Sequence, residues 1–77
     1  MISPFLRRQR SILSYVERHL AEGQQHISKM QSLIADGERR GFDMSEAHIR
    51  LGEFLVAQST REHHREHLLA EIDQSEW

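Results

Sequence analysis

The chain predicts an all-α fold: an antiparallel two-helix hairpin, coiled-coil-like, that dimerises into a four-helix bundle. Three observations carry this. Core-type positions recur at alternating spacings of three and four through both halves of the chain. One glycine-centred break near the middle separates the halves, and no stretch alternates with the period of a strand. The single proline stands at position 4, so nothing interrupts either periodic half. In the first half the positions are Leu6, Leu13, Val16, Leu20, Gly23, Ile27, Met30 and Ile34. In the second they are Met44, Ala47, Leu51, Phe54, Gln58, Arg61, Arg65, Leu68 and Ile72.

Ser3-Pro4 reads as a helix start, with Ser3 as N-cap and Pro4 at the first helical position, where its missing N–H costs nothing. A later start at a Ser14/Glu17 capping box competes, but Leu6 and Leu13 already stay in phase with Val16, Leu20 and the later core positions. Helix one should run from about residue 4 to about Arg40 and stop at Gly41, a natural left-handed residue; Gly37 is the rival stop. Residues 41–43 form the turn. Asp43 then caps helix two, with Glu46 three residues on completing a box-like start, and the helix should run from about 44 to 73 before a frayed tail ending in Trp77. So short a connection makes the helices antiparallel, and the heptad period implies a crossing near +20°. The whole chain, residues 1–77, is one domain.

Counting Leu6 and Met44 as heptad position a, the apolar stripes are wider than a two-helix seam requires. Helix one adds Phe5, Ile12 and Leu33 at g; helix two adds Leu55 and Leu69 at e. Below roughly 70–80 residues a single core supplies only about 3–5 kcal/mol. With no cysteine, disulfides and thiolate metal sites are excluded. Self-association, with a homodimer favoured, is the expected route to stability, and wide stripes suit a bundle core.

The formal charge of −2 gives no field that would hold nucleic acid non-specifically. Arg7, Arg8 and Arg10 read as a solvated face at the start of helix one; a membrane-surface or targeting segment is the competing reading. No apolar run approaches the roughly 20 residues of a membrane span. A soluble, cytoplasmic protein is the expectation.

Both stripes turn polar at matching heights. His19, Gly23 and His26 interrupt helix one at g, d and g; Gln58, Arg61, Glu62 and Arg65 occupy a, d, e and a of helix two. With the turn centred near Gly41, facing residues have numbers adding to roughly 82. That puts Gly23 near Gln58 or Ser59, His19 near Glu62 or His63, and Glu17 near Arg65. Three readings compete for the layer: a network fixing register and oligomer state, a partner or small-anion site with Arg61 and Arg65 as donors, and a catalytic pair of His19 and Glu62. The last lacks a nucleophile and an oxyanion donor set. His63 and His67, spaced i,i+4, place two imidazoles on one outward helical face, a spacing open to Zn²⁺ or Ni²⁺. Inward Glu-x-x-His pairs of the di-iron type are missing, so no resident cofactor is expected. Arg61 over Arg65 and Glu62 over Glu66 stack like charges at i,i+4 and call for partners on other helices.

The segments Ala21-Glu22-Gly23-Gln24-Gln25-His26-Ile27, Leu33-Ile34-Ala35 and Gly41-Phe42-Asp43, followed by Leu51, Phe54, Gln58, Arg65, Leu68 and Leu69, carry a resemblance. The chain resembles a group of small uncharacterised helical-hairpin proteins common in alphaproteobacteria, especially rhizobia and their relatives. It spans about residues 17 to 72. Phe42 and Arg61 stand where that pattern has His, Gly37 where it often has Leu, and Glu66-His67 where it has Asp-Arg. The resemblance implies a hairpin and a bacterial cytosolic setting, and no activity. The expected function is a non-enzymatic, self-associating helical interaction module that meets itself and another protein. The alternative is a small-anion or metal-binding protein using the polar layer or the His63/His67 face.

Overall fold

Ser3 begins the first helix as its spacing predicts: its hydroxyl accepts a hydrogen bond from the Leu6 N–H at 3.1 Å, and Pro4 follows at the first helical position. In this computed structural model, which describes residues 3–75, α1 spans Pro4–Arg39 and α2 spans Ser45–Ser75. The Ser14/Glu17 start is not used, because the earlier cap already opens the helix.

Gly41 ends α1 at φ +82°, a backbone state that costs a side-chain-bearing residue about 1–2 kcal/mol. The Gly41 N–H donates to the Glu38 carbonyl at 3.0 Å, and the Phe42 N–H reaches back to the Gly37 carbonyl at 2.9 Å. These two bonds are the Schellman arrangement, and they satisfy carbonyls the helix leaves open. Arg40 is therefore the C-cap, one residue beyond the last helical turn. Gly37 is not the stop; the helix passes through it. The turn is longer than 41–43, because α2 starts at Ser45, with the His48 N–H bonded to the Met44 carbonyl at 3.0 Å. Asp43 caps from one residue further out than a regular N-cap. Its Oδ1 accepts from the Ser45 N–H at 3.0 Å and the Ser45 hydroxyl at 2.6 Å. The second helix also runs on to Ser75 rather than ending near 73, and the tail to Trp77 lies outside the described residues.

The seam follows the three-four spacing closely. Val16, Ile27 and Ile34 of α1 and Leu68 and Ile72 of α2 form the apolar core, and Gln58 is the buried polar exception. Gly37 faces Met44, Gly23 faces Gln58, His26 faces Phe54, and Gln9 donates to Glu71. The numbers in these pairs add to 80 or 81, one or two below the value read from the turn. A thin core results: no described side chain is completely enclosed. The Cα trace measures 59 × 15 × 13 Å, the width of two helices side by side. Among the described residues, no helix is long and apolar enough to cross a membrane.

Candidate functional site

Heptad geometry divides the hairpin into two long sides. In an antiparallel pair, g positions of one helix flank g positions of the other, and e flanks e. The clefts along the seam follow this rule. On the g side, His19, Gly23 and His26 of α1 meet Phe54 and Arg61 of α2 around a shallow cleft of about 400 Å³. A neighbouring hollow adds Ile12, Tyr15 and His64. On the e side, Gln24 of α1 lies with Gln58, Glu62, Arg65 and Glu66 of α2.

This division corrects two expectations. His19 does not lie beside Glu62: the two open to opposite sides of the seam, so they cannot share a proton. Arg61 and Arg65, expected to act together on an anion, are likewise split between the g and e sides. Both readings matched residues by height along the hairpin and ignored sidedness. Arg65 shares its cleft with two carboxylates, Glu62 and Glu66, which oppose an anionic ligand. Glu17 is exposed and does not line the Arg65 cleft.

The expected Gly23–Gln58 contact is present and tight. Gln58 is 6% exposed and lies flat across the bare α1 backbone. A Cβ on Gly23 would overlap Gln58 Oε1 and stand 3.0 Å from Gln58 Cδ. That close approach lets Nε2 donate to the Leu20 carbonyl at 2.8 Å, while Oε1 accepts a long bond, 3.5 Å, from Arg61. Among the described residues no buried side-chain nitrogen or oxygen lacks a partner, so the layer is polar and satisfied.

The two imidazoles of the g side are held by aromatic rings. Tyr15 and His19, one helical turn apart, have ring centroids 4.4 Å apart and tilted by 44°. His26 meets Phe54 across the seam, edge to face, at the same distance and 70°. Edge-to-face packing suits the ring quadrupole. On the outer face, His63 is exposed and His67 Nε2 lies 2.7 Å from Glu71 Oε1. His67 thus turns along the helix towards Glu71, which also accepts from Gln9. No group of three or more metal-ligating side chains occurs among the described residues.

Sequence reasoning missed Gly37. Its absent side chain makes room for Met44: a Cβ there would overlap Met44 Sδ and stand 3.0 Å from Cε. The signal was available, since Gly37 and Gly23 are both d positions, two heptads apart, and each faces a long flexible residue at position a. Comparison with protein-family models, curated proteins and solved structures finds no match.

Proposed function

We propose that the hairpin is a non-enzymatic, self-associating interaction module whose unit of function is an oligomer, with a dimer first. One observation carries the reading. The chain exposes 6116 Å² of surface, whereas a folded monomer of its 9.1 kDa mass exposes about 4,900 Å². The excess of about 1,200 Å² exceeds the roughly 800 Å² that each partner of a standard interface buries.

Much of that surface is apolar. Leu33 is 67% exposed and Val56 69%, and Phe5, Tyr15, Ile49 and Leu55 also stand in the open. Two helices cannot enclose side chains on both flanks of their seam, so covering them takes more helices. A dimer of hairpins is the smallest assembly that supplies these, and a four-helix bundle is its form. The exposed apolar residues of α2 leave it a further surface for another protein.

Sedimentation equilibrium on the full chain from about 1 to 100 μM tests the reading. A dimer mass at the upper concentrations, with a thermal midpoint that rises with protein concentration, is the expected result. A cooperatively folded monomer throughout that range overturns it.

A further inference from the structure

Arg61 is a half-buried cation that forms no ion pair among the described residues. It stands at a d position of α2, and its neighbours three and four residues away on that helix are Ala57, Gln58, His64 and Arg65. None of these is acidic. Its one hydrogen bond among the described residues is the 3.5 Å contact with Gln58. On the open surface, by contrast, Arg39 and Arg40 both reach Asp36, at 3.2 and 3.1 Å. A guanidinium carries several N–H donors in a fixed fork, so most of this capacity is left unused there.

Those donors border a hollow of about 440 Å³ whose lining holds no carboxylate. Ile12, Tyr15 and Val16 of α1 form its apolar wall; His19, Arg61 and His64 form its polar one. A space of this order holds a small ligand, and an apolar wall with a few converging polar groups is the composition such sites share. The Tyr15 ring lies 4.4 Å from His19, which sets an aromatic face beside the cation. An imidazole adds a ring N–H donor in either protonation state. Glu22 lines the adjoining cleft, which shares His19 and Arg61, and would repel a second negative charge there.

We infer that this hollow binds a small aromatic monocarboxylate, with the carboxylate on the Arg61 fork and the ring against Ile12 and Tyr15. A guanidinium takes a carboxylate through two parallel N–H···O bonds, and His19 and His64 flank them. The e-side cleft is unsuited to the same ligand, because Arg65 shares it with Glu62 and Glu66. The site is contained in one hairpin, so it does not rest on the self-association proposed above.

Titration of the isotope-labelled full chain with hydrocinnamate, at constant ionic strength and followed by amide chemical shifts, tests the site. Saturable shifts centred on Ile12, Tyr15, His19, Arg61 and His64 are expected. Hydrocinnamyl alcohol keeps the ring without the charge, and inorganic phosphate keeps charge without the ring. Each should bind the unaltered chain at least about tenfold more weakly than the acid. Arg61→Gln should weaken hydrocinnamate binding by about tenfold or more. Arg65→Gln makes the same charge change one turn along, and should alter it less than about twofold. Far-UV circular dichroism confirms that both variants remain helical, and the comparison of the three probes needs no variant. The site is overturned by any of three results: no saturable shift, equal binding by the two variants, or the alcohol or phosphate binding as tightly as the acid.

Discussion

At Gly23 the α1 backbone lies bare beneath the Gln58 amide, and each residue is conditional on the other. Gly23→Leu should cost about 1–3 kcal/mol by overpacking, despite better helix propensity. Gly23→Ala should be near neutral, since a propensity gain of about 1 kcal/mol offsets the hydrogen bond that Gln58 loses to Leu20. In a Gln58→Ala background the same Gly23→Ala change should stabilise by about 1 kcal/mol. A double-mutant cycle by urea unfolding reads the coupling. Asp43 makes a second test at this scale. The Ser45 hydroxyl, then the Ser45 N–H, hold its carboxyl below the ordinary 3.8, with slight desolvation opposing. The unfolded chain takes up the proton first, so the stabilisation from Asp43 is fully present above 3.8 and fades as pH falls through the lower folded-state value. Asp43→Ala should lower the thermal midpoint at pH 6, and the difference from the parent should narrow as pH falls below 3.8.

The two helices differ in how firmly their residues commit to one face. In α1 the apolar positions keep to the seam and the g side, whereas α2 exposes Leu55 on the e side and Ile49 and Val56 away from the seam. Gly52 sits among these with nothing within 4 Å of an added Cβ. Gly52→Ala should therefore stabilise by about 0.8–1.0 kcal/mol through propensity alone, seen as a higher denaturation midpoint with unchanged slope. Gly41→Ala should cost about 1–2 kcal/mol, because an L side chain is strained at that positive φ even though the space around it is open. Both helices, and the start and stop of α1, were legible in the residues, because Ser3-Pro4 and Gly41 act locally and a spacing of three and four survives many exceptions; the bounds of α2 were less so. Gln58 opposite Gly23 was legible too, as it needs only the register. The split of His19 from Glu62 was not, since both share a height and only their heptad letters separate them. Gly37 was read only as a rival stop, because propensity describes a helix by itself and not the Met44 seated on it.

At the scale of the molecule, the seam has two half-buried arginines where the repeat asks for apolar residues. Among the described residues Arg61 makes only the long bond to Gln58, so its charge contributes little to holding the hairpin. Arg61→Leu with Arg65→Met should keep or raise stability, by up to about 1–2 kcal/mol from the added apolar burial. Native mass spectrometry of that variant should show extra oligomers if the arginines restrict pairing, and a dimer alone if they do not. Repeats bring an ambiguity that sequence composition cannot remove: sliding one helix by seven residues restores the same letters opposite each other. The two glycines take that freedom away. They lie fourteen residues apart on α1, and Gln58 of α2 lies fourteen residues beyond Met44 at its entrance, so both long side chains drop into their notches together. A slide of seven would carry Gln58 onto Val16 or Met30, where a side chain already stands, and the short connection from Arg40 to Met44 forbids a slide of fourteen. The pair of notches therefore acts as a key, leaving one alignment of the two helices out of several that hydrophobicity alone would accept.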